Sequence, residues 1–269
     1  MLDSRHIKEL KYPIGNGATN PIMGMISSGH CVVKTNNNIQ GNRTLINEYV
    51  CYLLALHLEL PVLNSGLCYI DENTIIGQNV KDMEDFSEEC FGLGFYSEYM
   101  DGTTVIGSEK MIKLTENYEW VIPKLMLFDH LIYNKDRNKG NLLIKMGKNN
   151  RKLLVIDHSH TFNLETLWDR IQFKSKIQEN DYLDEYIMEK NAYIYSKLKK
   201  SMDLDLIIMR DTLDYFESKL NEEIINDIVD KVPKEWEPDK EELKALKEYI
   251  IYRFSKLNHF ADIILNYNY

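Results

Sequence analysis

The stretch that decides the fold runs Phe128-Asp129-His130-Leu131-Ile132-Tyr133-Asn134-Lys135-Asp136-Arg137-Asn138-Lys139-Gly140-Asn141-Leu142-Leu143-Ile144, crosses a polar turn, and resumes as Leu153-Leu154-Val155-Ile156-Asp157-His158-Ser159-His160. The apolar runs 142–144 and 153–156 bracket Gly147, Asn149 and Asn150, the pattern of a β-hairpin. With the turn placed near Asn149, positions 141 and 157 are equally distant from it, so Asn141 and Asp157 are expected side by side at the open end. Asp136 lies five residues before Asn141. A side-chain carbonyl and a carboxylate, with a second carboxylate upstream, supply hard oxygen ligands for Mg2+ beside a candidate base. That set predicts phosphoryl-transfer chemistry.

The spacing Asp-x4-Asn equals that of a kinase catalytic loop, where the Asp accepts the proton of the substrate hydroxyl and the Asn holds a metal. Alone the spacing also describes an Asx-rich surface loop; joined to an apolar hairpin ending in Asp157 it becomes more specific. Further upstream, Lys34 closes the apolar run Cys31-Val32-Val33, and Glu48 falls on or near the buried stripe of a helix expected from Arg43 to Leu60, ended by Pro61. A buried glutamate needs a partner, and a strand lysine reaching it would form the ion pair that positions nucleotide phosphates. Each residue has a plainer reading, a snorkelling lysine or a helix-flank glutamate, but their order relative to Asp136 and Asp157 favours the pair. Glu98, Tyr99, Met100 and Asp101 lie in a connector (residues 95–102) whose backbone could meet an adenine ring.

The texture of the chain changes near residue 100. Before it, residues 22–26 and 31–35 suit a hairpin around Ser27-Ser28-Gly29-His30, residues 15–20 a flexible loop, and residues 62–80 a β-rich stretch turning at Asp71-Glu72-Asn73. After it come a second apolar helix, Trp120 to Tyr133, and three or four amphipathic helices from Tyr182 on, broken near residues 201–203 and at Pro233 and Pro238. The organisation expected is a β-rich N-lobe over residues 1–98 with one long helix, a hinge at 99–102, and a mainly helical C-lobe over 103–269, within an α+β fold.

A length of 269 residues suits one bilobal domain or two close-packed ones, and 44% hydrophobic with 28% charged residues is ordinary globular composition. The formal charge of -10 disfavours a nucleic-acid partner, since the surface would repel phosphate backbones. The lysines of 145–152 and 197–200 read as solvated faces. No apolar run is long enough to span a bilayer and residues 1–6 lack the core of a secretory signal, so a soluble, cytoplasmic protein with no membrane partner is expected. Cys31, Cys51, Cys68 and Cys90 form no C-x-x-C pair and read as reduced core thiols.

Taken together, these residues resemble the HipA-like kinases, relatives of the bacterial HipA persistence toxin and distant cousins of the phosphoinositide kinases. The resemblance covers most of the chain and rests on Val32-Val33-Lys34, residues 41–48, Leu60-Pro61-Val62, Ser97-Glu98-Tyr99, Asp136-Arg137-x-x-Gly140-Asn141-Leu142-Leu143 and Ile156-Asp157-His158-x-His160. It implies a bilobal protein-kinase-like fold, ATP and Mg2+ as cofactors, Asp136 as catalytic base, Asn141 and Asp157 as metal ligands, and Lys34 on the nucleotide phosphates. The acceptor implied is a protein Ser/Thr hydroxyl, the protein's own included; a small-molecule alcohol would use the same groups. Asn138 stands where the family has His, and Ser159 where Gly is common. The chain is shorter than the full HipA toxin, so that protein's extra N-terminal subdomain and antitoxin partner are not carried over.

Two other readings remain. Asn138 favours a nucleotide-binding pseudokinase that serves as an interaction module. His130, His158 and His160 with Asp136 or Asp157 could form a zinc hydrolase site, because H-x-H on a strand puts both rings on one face.

Overall fold

Short apolar strands in the first hundred residues pair into a single sheet, and the longer apolar helices gather below it. The computed structural model describes residues 5–15, 19–147, 150–236 and 238–269. Strands β1 (Arg5–His6), β2 (Glu9–Pro13), β3 (Ile22–Ile26), β4 (Gly29–Lys34), β5 (Ser65–Ile70), β6 (Ile75–Ile76) and β7 (Gly92–Glu98) form a seven-stranded sheet in the order β1-β5-β7-β4-β3-β2-β6. The hairpin expected around residues 27–30 forms with a tighter turn, since Ile26 already pairs with Gly29. The strands on either side of Asp71-Glu72-Asn73 part company: β5 pairs with β7 and β1, while β6 joins β2 at the far edge. Of the loop expected over residues 15–20, residues 16–18 lie outside the described residues, as does the turn position Asn149.

The single long helix of this half, α1 (Arg43–His57), is apolar on most sides and is correspondingly buried on most sides. Tyr52 meets Phe95 of β7 edge-on at 5.9 Å, while Tyr49 touches both Phe95 and, at 5.8 Å, Trp236 of the helical half. Trp236 also donates from Nε1 to the Leu93 carbonyl at 2.7 Å. One apolar core thus runs from α1 into the helical half, and a smaller one, built on Ile7, Leu10, Val33 and Tyr96, covers the other side of the sheet.

The remaining helices are α2 (Gln78–Lys81), α3 (Glu109–Lys113), α4 (Tyr118–Leu131), α5 (Arg170–Gln178), α6 (Tyr186–Lys190), α7 (Ala192–Ser201), α8 (Leu206–Lys219), α9 (Glu222–Val229), α10 (Lys240–Phe254) and α11 (Leu257–Asn266). Side-chain caps mark several starts: Asp169, Asp205, Asn221 and Asp239 each accept from a first-turn amide. From residue 182 onward there are more helices than the amphipathic pattern resolved, because α6 and α7 are short and meet at Asn191 without a proline. Lys199, expected on a solvated face, instead donates to the carbonyls of Ile264 and Tyr267 at the end of α11, both at 2.8 Å. Among the described residues no helix is long and apolar enough to cross a membrane, and all four cysteines are buried and unpaired.

A second, three-stranded sheet carries the decisive stretch: β8 (Thr103–Val105), β9 (Leu142–Lys145) and β10 (Lys152–Val155), in the order β10-β9-β8. The expected hairpin is present with its register one residue away from expectation. Leu142 pairs with Val155 and Lys145 with Lys152, so the residue opposite Asn141 is Ile156, whose amide donates to the Asn141 carbonyl at 3.1 Å. The loop between the strands spans 146–151, an even number of residues, and its midpoint falls before Asn149 rather than on it. In a regular strand a one-residue slip would turn Asp157 to the wrong face. Asp157 has left-handed backbone, φ 58°, which takes it out of the strand and re-aims its side chain.

Candidate active site

Lys34 is the last residue of β4, Glu48 lies on the second turn of α1, and Asp157 follows β10. The three meet between sheet and helical body, Lys34 and Glu48 buried and the Asp157 side chain 37% exposed at the cleft. Lys34 Nζ contacts Glu48 Oε1 directly and donates to Asp157 Oδ1 at 3.1 Å and to Ser159 Oγ at 2.6 Å. Ser159 Oγ stands 2.7 Å from Asp157 Oδ1 and 2.9 Å from Glu48 Oε1, and its amide donates to Asp157 Oδ1 at 3.2 Å. Ser159 is therefore the fourth member of a closed polar cluster.

Electrostatics follow from that geometry. Burial opposes the charge on Lys34, but Asp157 and Glu48 outweigh it and raise the ammonium above its ordinary value. Burial likewise opposes ionisation of Asp157, and the Lys34 charge with the Ser159 hydroxyl and amide overcomes it, holding this carboxyl well below the usual carboxylate range. Glu48 is raised, since its burial and the neighbouring Asp157 charge outweigh what Lys34 supplies.

These residues line a cleft of about 600 Å3 between the two sheets, within the size range of ligand pockets. Asp136, Asn138 and Asn141 line the same cleft. Asn141 Nδ2 donates to the Asp136 carbonyl at 2.7 Å, and Asn138 Nδ2 reaches Asp136 Oδ1 at 3.2 Å. The Asp136 carboxyl remains 49% exposed, open to an incoming group. Among the described residues the donors around Asp157 gather on Oδ1, and Asn141 is anchored through its nitrogen. Asp157 Oδ2 and Asn141 Oδ1 are the oxygens left to a ligand, a donor set that suits a hard divalent cation.

Of the connector, Phe95 and Ser97 line the cleft, whereas Glu98, Tyr99, Met100 and Asp101, the four residues expected at the nucleotide, are not among the lining residues. The Glu98 carboxylate turns to Arg5 and Ser28, at 2.7 and 3.1 Å, and the amides of Glu98 and Tyr99 donate to the carbonyls of Asn64 and His30. Of the three histidines considered for zinc, His130 is buried beside Phe260, bonded through Nδ1 to the Met126 carbonyl, and lowered to about 3 by burial, the nearby Arg253 charge adding to the shift. His158 is buried edge-on to Phe128, whereas His160 faces the cleft. The H-x-H pair is split because the chain has already left the strand at Asp157, and among the described residues no three His, Cys, Asp or Glu side chains are grouped to hold a metal.

Sequence reasoning passed over the frame beneath the loop. Arg137, 2% exposed, makes a two-pronged contact with Asp129 (2.8 and 3.1 Å) and donates to the carbonyls of Asn141 and Ile156 at 3.0 and 2.8 Å. Asp129 also accepts from Tyr195 and Asn134. The signal was an aspartate inside the apolar run of α4. Asn47, next to Glu48, is equally buried: its Nδ2 donates to the carbonyls of Ser159 and Glu165, and its Oδ1 accepts from Trp168 Nε1. It thereby pins the segment after Asp157 to α1.

With the geometry established, comparison with known proteins gives three results. A family model described as HipA-like kinase matches residues 7–261. No curated protein matches the sequence. Solved structures do: the proinflammatory kinase CtkA of Helicobacter pylori is similar at TM-score 0.62 and 13% identity, over 98% of this chain and 97% of that one. A Golgi casein kinase with Mn/ADP bound is similar at TM-score 0.56 and 11% identity, over 97% of this chain and 74% of that one. HipA of Shewanella oneidensis MR-1, in a complex with HipB and operator DNA, gives 0.52 and 11%, over 96% and 68%. At these identities the likeness is one of fold, a bilobal kinase-like α+β arrangement.

Proposed function

The chain belongs to the HipA-like kinase family, and on that premise we propose that it transfers the γ-phosphoryl group of ATP to a hydroxyl, a protein serine or threonine first among the acceptors. The observation that carries this reading is the convergence of Lys34, Glu48, Asp136 with Asn141, and Asp157, from four separate places in the chain, on one cleft. Lys34 would turn from Asp157 to the phosphate oxygens while Glu48 keeps its ammonium in place. Asn141 Oδ1 and Asp157 Oδ2 would hold a divalent cation, Mg2+ in the first instance, which supplies charge neutralisation on the phosphates. Asp136 would receive the acceptor proton, its carboxyl held by Asn138, which occupies the family's His position without displacing it. Ile14, Val32, Val105 and Ile156 offer apolar walls to the base.

The test is direct. Mg-ATP at ~100 times its dissociation constant should stabilise the fold by roughly 2.7 kcal/mol, a melting shift on the order of 5 to 10 °C. Label from γ-labelled ATP should appear on the protein itself or on proteins of a cell extract. Absence of both effects overturns the kinase reading; a shift without label supports the pseudokinase instead.

A further inference from the structure

One cleft residue has no place in the steps above. His160 sits with its Nδ1 3.9 Å from Asp136 Oδ2, and its Nε2 is 3.0 Å from the side-chain oxygen of Gln40. Gln40 belongs to the loop between β4 and α1, so the imidazole bridges the first lobe to the proposed base. That loop is itself fixed. Asn38 donates from Nδ2 to the Thr35 carbonyl at 3.1 Å and accepts at Oδ1 from the Gln40 amide at 2.9 Å, while Gly41 donates to the Asn38 carbonyl at 2.7 Å. Asn38, featureless as sequence, is a mount for Gln40.

With the Gln40 amide oxygen turned to the ring, Nε2 carries the hydrogen, and in the neutral ring Nδ1 then carries a lone pair. That lone pair faces Asp136. Resting on the kinase reading, we propose that His160 is a positioning residue for Asp136 that takes over the proton Asp136 has accepted. The acceptor O–H bond breaks as its oxygen bonds to the γ-phosphorus, and the bond from that phosphorus to the leaving ADP oxygen breaks with its electron pair on ADP. The proton goes to Asp136 Oδ2 and on to His160 Nδ1, leaving an imidazolium beside a regenerated carboxylate, and returns to water when product departs. The present 3.9 Å is longer than a hydrogen bond, so the step requires the half-exposed Asp136 carboxyl to turn toward the ring, as such contacts tighten with substrate in place. The other charged groups on this cleft, Lys34, Glu48 and Asp157, satisfy one another, and among the described residues Asp136 is the carboxylate nearest His160.

The experiment measures steady-state transfer from ATP by the full chain and by His160→Ala and Gln40→Ala, with Mg-ATP melting shifts as the binding control. His160→Ala should keep the melting shift and an ATP KM within about twofold of wild type, while kcat falls about 10- to 100-fold, within the range of a lost proton-transfer group. Imidazole added to His160→Ala should restore part of kcat and leave wild type unchanged. Gln40→Ala, which frees the ring without removing it, should lose kcat severalfold and gain nothing from imidazole. If His160→Ala transfers as fast as wild type, or keeps the melting shift but is slow and unmoved by imidazole, the relay is overturned while the kinase reading stands. Should His160→Ala fail to fold, Gln40→Ala decides: unchanged kcat there overturns the relay. A wild-type chain that transfers nothing overturns the kinase reading and the relay with it.

Discussion

Lys34 holds the first-lobe half of the site together by charge, and its removal separates what the cluster does for stability from what it does for nucleotide. Lys34→Met leaves the buried Glu48 carboxylate beside the part-exposed Asp157 carboxylate without a cation. Losing one partner of a buried pair costs about 3 to 5 kcal/mol, and Glu48, already raised by burial, can take up a proton and bring the loss to the lower end. Urea unfolding should show a folded but weakened chain, and ATP-dependent transfer should fall with a raised KM; turnover equal to wild type would remove Lys34 from the site. The other roles divide by binding. Asp157→Asn exchanges an anionic oxygen for a neutral one at nearly constant volume, so it should lose most of the Mg2+-dependent melting shift. Asp136→Asn should keep that shift while transfer drops about 10²- to 10⁴-fold. An Asp136→Asn chain that transfers normally would end its role as base. Lys34 and Asp157 were legible in the sequence because each closes an apolar run, Asp136 because of its spacing to Asn141, and Glu48 as a charge near the buried stripe of a helix. Ser159 was legible only as a departure from a pattern, since nothing in its neighbours announces that its hydroxyl would sit among Lys34, Glu48 and Asp157.

At the scale of elements, position depends on how closely strands approach, which sequence shows less well than charge. Gly94 on β7 illustrates it: a Cβ there would lie 2.7 Å from the Lys34 carbonyl. Gly94→Ala must therefore push β4 away at the very residue that carries the ammonium. We expect a stability loss of about 1 to 3 kcal/mol, as for other overpacked sites, and a raised ATP KM, since Lys34 moves with its strand. A variant with wild-type stability and KM would mean the strands absorb the methyl elsewhere. Asp129→Asn probes the opposite side, where Arg137 ties α4 to the loop and to both strand ends of the hairpin; with its carboxylate gone the buried guanidinium loses its counter-charge, so unfolding free energy should drop about 3 to 5 kcal/mol. The hairpin itself was readable from two apolar runs around a polar turn. Its register was not, because a shift of one residue costs the apolar pattern little at strand ends, and the left-handed backbone of Asp157 that corrects the aim leaves no mark at an Asp.

Across the whole molecule the change of texture near residue 100 was visible, while the shared core was not: Tyr49, Phe95 and Trp236 look like three ordinary aromatics until α1 brings them together. The same deep packing fixes how stability depends on pH. His130 is lowered to about 3 and His158 well below its ordinary value, burial being the main cause in both and nearby arginines, Arg253 and Arg137, adding to it. In the unfolded chain both rings titrate near pH 6.5, so below that pH the unfolded state binds protons that the folded state refuses. Stability therefore falls as pH drops through about 6.5, and for His130 the loss continues toward its folded value at a slope approaching 1.4 kcal/mol per pH unit. Asp157 adds nothing in this window, because a carboxyl held below its unfolded value loses its contribution only below about pH 4. From pH 7 to pH 5 His130 should cost about 2 kcal/mol. His130→Gln removes one titrating ring, so the variant, whatever its stability at pH 7, should lose about 2 kcal/mol less than wild type over the same interval, measured by urea unfolding at both pH values. Carboxylates, Glu48 among them, contribute equally to both chains and drop out of the difference. If the two chains lose the same amount, His130 is not held neutral in the native core, and the packing of α4 against α11 is not what its burial beside Phe260 implies.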